Sequence, residues 1–294
     1  MPLGPVAEKG GYTTVNPVSS VEEPTLISTV ANNLPQPAEE AYVEREVNAL
    51  HQLIRDHIGN FYDLHKPLQI PEEFFDFASL GPNMPASSAR LVSLLSNPHD
   101  RPLALHFCIS WAIISRLGFD CAPDSSFLPQ EASACLQQIR TSAFAGDRGL
   151  CSIVSVSKQF TDDLLVRTAF YSLWRTLTAS LIQSKYGRSL DIPNQNVHTA
   201  AQVVEEVLEP FAVQHLEEAD RRRSLVQVMH RGARLGFLLF SQPGVWEFSW
   251  QNPLHEPDSL VAFPALLQTY SEEGERLNPA RVFIQAEIGR GLSA

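Results

Sequence analysis

The chain has 294 residues, 44% of them hydrophobic, enough to bury a substantial core as one large domain or two small ones. Its 33 acidic side chains outnumber 22 basic ones, and the formal charge of −11 repels phosphate backbones and anionic bilayer surfaces. Nucleic acid is excluded as a natural partner, and electrostatic attachment to a membrane is disfavoured.

Residues 1–40 hold Pro2, Pro5, Pro17, Pro24, Pro35 and Pro37 among small polar residues. So little apolar surface cannot offset the entropy of ordering, and the stretch is expected to be a disordered tail ahead of a single domain over 41–294. It lacks the basic start and apolar core of a secretory leader, and the Arg-rich amphipathic character of a transit peptide. A cytoplasmic or nuclear protein, not a secreted one, is expected.

A first helix is predicted from about Ala38 to Leu64. Val43, Val47, Leu50, Ile54, His57, Phe61 and Leu64 recur at alternating spacings of four and three, an apolar seam interrupted by one imidazole. His57 reads as a hydrogen-bonded packing histidine. His51 and His65 fall on other faces of the helix and about 21 Å apart at ~1.5 Å per residue, so one helix cannot bring these imidazoles together on a metal. Pro67 and Pro71 end the helix. "PEEFFDFASL" then suggests a short helix begun by Pro71, and "ASSARLVSLLS" another over about 86–96.

The longest apolar run, "LALHFCISWAIISRLGF" at 103–119, contains His106, Ser110 and Arg116 and is shorter than the ~20 largely apolar residues of a bilayer crossing. Its apolar residues surround the axis, which predicts a helix packed on most sides. Cys108, Cys121, Cys135 and Cys151 form no CxxC pair, so free structural thiols are expected. "QEASACLQQIRTSAF" reads as a helix and "AGDRG" as a turn. Thr161 caps a long helix that Gly187 closes, with Leu165, Leu173, Leu177 and Leu181 predicted on its buried side and Phe170 and Trp174 adding bulk. "HTAAQVVEEVLEP" is a further helix ended or kinked by Pro210. The last long helix runs from near Asp220 to before Pro243; it contains His230 and a GxxxG spacing at Gly232 and Gly236 that permits close approach of a neighbour. "DRRR" at 220–223 follows acidic residues and reads as a solvated, salt-bridged helix start.

From 245 the texture changes. "VWEFSW" alternates Trp246, Phe248 and Trp250 with Val245, Glu247 and Ser249, the period of a strand with an aromatic face. "SLVAFPALLQTY" and "ARVFIQAEIG" are β-rich runs joined by a surface turn, "SEEGERLNP", and Pro264 suggests an edge strand or bulge. The fold class is therefore mainly α, a helical bundle-like body with a small C-terminal β-sheet of two or three strands.

The segments "EREVNALHQLIRDHIGNFY", "ARLGFLLFSQPGVWEFSW" and "LVAFPALLQTYSEEGERL" resemble a pattern in uncharacterised proteins of filamentous fungi, over about residues 41–290. The resemblance carries no catalytic residue. It places the chain among fungal proteins, some of them encoded within secondary-metabolite gene clusters.

No nucleophile elbow, phosphate loop or HExxH motif occurs, and neither a metal nor a cofactor is expected. Two functions fit. The first is a non-catalytic helical interaction or regulatory protein with a protein partner. The second is an accessory protein, cofactor-independent enzyme or binder of a hydrophobic small molecule in secondary metabolism, with an apolar pocket between the central helix and the aromatic strand. Its candidate residues are His106, Arg116, His230, Trp246, Phe248 and Trp250.

Overall fold

The computed structural model describes residues 36–68, 71, 73, 75–118, 121–143, 170–183, 195–252, 256, 259–272, 275–290 and 292, which belong to one unit spanning Pro35–Ala294. The element order is α1 (Glu40–Phe61), a 3-10 turn (Phe77–Leu80), α2 (Ser88–Ser96), α3 (Arg101–Ile114), α4 (Gln130–Ala143), α5 (170–183), α6 (Gln195–Leu208), a second 3-10 turn (Glu209–Phe211) and α7 (Glu218–Ser241). Five strands follow: β1 (Val245–Ser249), β2 (Leu260–Phe263), β3 (Ala265–Tyr270), β4 (Arg276–Ile284) and β5 (Glu287–Gly289). The molecule is mainly α with antiparallel strands at its C-terminal end. The tail expected before residue 40, the turn at "AGDRG", the caps at Thr161 and Gly187, Leu165, Cys151 and His255 lie outside the described residues, apart from 36–39.

The hub is α3. Ala104, Leu105, Phe107, Cys108, Ile109, Ala112 and Ile113 are buried around its whole circumference, as the unstriped apolar run required. α1 packs on it and on α7 through Val43, Val47, Leu50, Ile54 and Ile58, every third or fourth residue. Among them, His57 is buried, shares a 2.9 Å hydrogen bond with Ser224, and lies edge-on to Tyr62. α7 closes on α3 through its two glycines. A Cβ on Gly232 would overlap the Ile113 side chain, and one on Gly236 would stand 2.8 Å from Leu117 Cδ2. α2 begins with the Ser87 hydroxyl accepting from the Arg90 amide.

Several elements depart from expectation. "PEEFFDFASL" forms a 3-10 turn only at Phe77–Leu80. On α5 the buried residues are Ser172, Arg175, Thr176, Ala179 and Ile182, whereas Phe170 and Leu181 are 68% and 70% exposed. Apolarity alone misplaces this face because Arg175 is drawn inward by the carbonyl oxygens of Phe240 (3.4 Å), Pro243 (3.3 Å) and Gly244 (3.1 Å) at the end of α7. Ala179 and Ile182 turn with it onto Leu128, Leu136, Phe237 and Phe240. At the start of α7, Arg223 pairs with Asp220 at the surface, but Arg222 reaches the buried Glu205 of α6 at 2.7 Å, and Arg221 is itself buried, 3.5 Å from the same carboxylate.

The strands form two sheets, one ordered β1-β3-β4 and one pairing β2 with β5. Pro264 is the joint: it divides "SLVAFPALLQTY" into β2 and β3, which join different sheets. Gln285 and Ala286 divide the last run likewise, and the turn read at "SEEGERLNP" is shorter because β4 starts at Arg276. Pro279 is tolerated within β4 because that strand is an edge. No described helix is long and apolar enough to cross a membrane.

Candidate functional site

Helix α1 places His51 beside the buried Leu50, on the flank facing α3 and β5. Full coverage of α3 buries His106. Strand β5 pairs with β2 so that Glu287 stands opposite Phe263, and Gly289, whose Cβ would overlap Leu103, lets the strand lie against α3. Three elements distant in sequence thus converge on one carboxylate.

Oxygen Oε2 of Glu287 receives His51 Nε2 at 2.6 Å and His106 Nδ1 at 3.0 Å, while Arg55 Nη2 donates to Oε1. A carboxylate can only accept, so both imidazole nitrogens that face it carry hydrogen. Phe263 backs the pair. The His51 ring is parallel to His106 within 3° at 4.7 Å and lies 4.8 Å from Phe263, and the latter two rings are 6.0 Å apart. Those separations form a triangle, with His51 overlying the seam between the other two rings. Burial pushes the Glu287 carboxyl up, but hydrogen bonds from His106 and His51 overcome it and hold the group below the usual carboxylate range. Desolvation lowers the His106 pKa, partly countered by Glu287.

The expectation that the imidazoles do not converge on ligand-like spacing is corrected here. α1 ends at Phe61, before His65, but His51 and His106 meet across two helices, and one donor atom from each of His51, His106 and Glu287 lies within 4.8 Å of the others. Among the described residues neither imidazole bonds a serine or cysteine, so the arrangement does not assemble a nucleophile and its base. It is a carboxylate–imidazole cluster able to hold a proton or a cation. Sequence reading found His106, set His51 aside, and missed Arg55 and Glu287.

The other candidates are not gathered around it. Arg116 donates to the carbonyl oxygens of Leu80, Ala112 (2.7 Å) and Ser79 (3.2 Å), tying the first 3-10 turn to α3. Trp250 packs edge-on against Phe107 at 5.5 Å and Trp111 at 5.1 Å, and Trp246 edge-on against Phe283 at 4.9 Å. Phe248 also packs against the core, and it is Trp250, just past β1, that meets the rings of α3 where a ligand pocket was expected. His230 lies edge-on to His198 and lines an open depression of about 360 Å³ with Leu53, Gln227, Arg231 and Arg234. A second open depression, about 410 Å³, lies between Glu209 and Arg221. No protein-family model, curated protein or solved structure matches this chain.

Proposed function

We propose that the protein is a non-catalytic helical interaction or regulatory protein of a filamentous fungus, working in the cytoplasm or nucleus by presenting surface to another protein. The outward face of α5 carries this reading. Phe170 and Leu181 are 68% and 70% exposed, and half-buried Leu173 and Leu177 lie between them. At ~100° per residue the four fall within an arc of about 80°, an apolar stripe of the kind that lies in a partner's groove. The packing of Trp250 on α3 and the internal ties of Arg116 support binding over catalysis. The fungal assignment rests on the sequence resemblance.

The test is a Phe170→Asp, Leu181→Asp double variant, used beside the wild-type chain for affinity capture from fungal extract. Expected is loss of a specifically captured protein, with helical circular dichroism and the melting midpoint retained. A double variant that loses helical signal would show the face to be internal packing and overturn the reading. A second reading, an accessory binder of a small anionic or apolar metabolite, is favoured by the depression where His230, Arg231 and Arg234 meet Leu53. A deletion strain that lacks one metabolite, and regains it with the double-variant allele, would favour that reading over the first.

A further inference from the structure

The geometry points to a site for one divalent d-block cation, of the zinc class, held by His51 Nε2, His106 Nδ1 and Glu287 Oε2. The three donor atoms already lie within 4.8 Å of one another, on elements fixed independently by the fold. Two imidazoles with one carboxylate form a donor set that suits Zn²⁺, Co²⁺, Ni²⁺ or Cu²⁺ better than Mg²⁺ or Ca²⁺, which prefer all-oxygen shells. Arg55 engages Oε1 and leaves Oε2 as the single carboxylate ligand. His51 and Glu287 retain side-chain exposures of 21% and 27%, so a fourth position faces solvent.

A second observation concerns the buried side of the cluster. Among the described residues His106 Nε2 and Ser110 Oγ have no hydrogen-bond partner; both are buried, and they stand one helical turn apart on the same face of α3. With His106 Nδ1–H directed at Glu287, Nε2 is a bare lone pair. A cation held by both imidazoles displaces the hydrogen from each ligating nitrogen: in a neutral ring it moves to the far nitrogen, Nε2 of His106 and Nδ1 of His51, with no net proton released, and the new N–H on the buried side needs an acceptor. Ser110 Oγ, one turn on and likewise unpartnered, supplies that acceptor once the two side chains close to hydrogen-bond distance, the outer-shell support that metal-bound imidazoles ordinarily have. The parallel rings impose one adjustment. A cation 2.0–2.1 Å from both nitrogens cannot lie in the planes of two offset parallel rings, so His51, on the exposed side, turns to meet it while His106 stays fixed.

The test uses the full chain, stripped with chelator and titrated with Co²⁺ and Zn²⁺. Expected is one equivalent of Co²⁺ bound with visible ligand-field bands, displaced by Zn²⁺, and a melting midpoint that rises with Zn²⁺. His51→Ala, at the exposed rim, and Glu287→Gln should lose the bands. Ser110→Ala should weaken binding by roughly 10–100-fold. A His198→Ala, His230→Ala variant should bind like wild type. Absence of saturable Co²⁺ binding by the wild-type chain would overturn the inference, as would a folded His51→Ala protein that binds undiminished. Should Glu287→Gln fail to fold, His51→Ala alone decides.

Discussion

Arg101 donates to the carbonyl oxygens of Leu95 (2.6 Å) and Ser96 (3.2 Å) at the end of α2 and of Asp63 (2.7 Å) after α1, with its guanidinium above the Phe211 ring. Arg116 serves the end of the first 3-10 turn in the same way, and Arg175 the end of α7. Each satisfies C-terminal carbonyls that have no partner inside their own helix, and each brings positive charge to the negative end of the dipole. Burial lowers the Arg175 pKa only to about 10, so it remains a cation at neutral pH. Arg101→Met should therefore cost roughly 3 kcal/mol, because it leaves buried acceptors unsatisfied, and Arg101→Lys should recover only part of the loss. Urea unfolding midpoints would register both. His57 makes a different prediction. Desolvation, followed by the nearby Arg221 charge, lowers its pKa to about 4, whereas the unfolded chain protonates it near 6.5. The unfolded state thus binds more protons between those values, so this contribution is complete above pH 6.5 and is lost as pH falls toward 4. The loss is roughly 3 kcal/mol in all. His57→Gln keeps a polar partner for Ser224 and should flatten the stability profile across that window; an unchanged slope would refute the assignment.

At the scale of elements, periodicity was sufficient wherever burial follows one rule. α1, α3, α6 and α7 are found near their expected bounds because stripes or an all-round apolar surface mark them. α5 shows the limit: Ser172, Arg175 and Thr176 outcompete Leu181 and Phe170 for the interior, because the carbonyls that Ser172 and Arg175 serve lie at the distant end of α7, which one helix's pattern does not encode. The contact of α7 with α3 was legible in outline from Gly232 and Gly236, although the facing residues, Ile113 and Leu117, were not. Gly232→Ala should destabilise by about 1–3 kcal/mol through overpacking against Ile113, despite alanine's higher helix propensity. Adding Ile113→Val in the same chain should restore part of it. A Gly232→Ala protein at least as stable as wild type would mean that propensity outweighs the contact.

For the whole molecule, the convergence of His51, His106 and Glu287 was invisible to sequence reading for a topological reason. His51 and Glu287 are 236 residues apart in the chain and are joined only because β5 leaves β4 and crosses to pair with β2 against α3. The Pro264 joint was seen as an interruption, but no local pattern reports which strands pair across it. That same topology makes the C-terminal strands part of the fold's closure. Arg281 of β4 clasps Glu40 at the start of α1 with contacts of 2.6 and 2.9 Å, Glu287 ties β5 to α1 and α3, and Phe283 packs against Trp246. A chain ended after Ser271 loses all of these together. β2 is left without the ladder partner it has in β5, β3 gains an open edge, and His106 loses its acceptor. Unpaired strand edges and an orphaned buried polar group each cost stability, and here they coincide on the flank of the central helix. The truncated chain should retain most far-ultraviolet helical signal, lose the near-ultraviolet signature of its packed tryptophans, bind a hydrophobic dye, and unfold without a cooperative transition. If it instead unfolds cooperatively within about 2 kcal/mol of the full chain, the helical body holds itself together and the strands are an appendage.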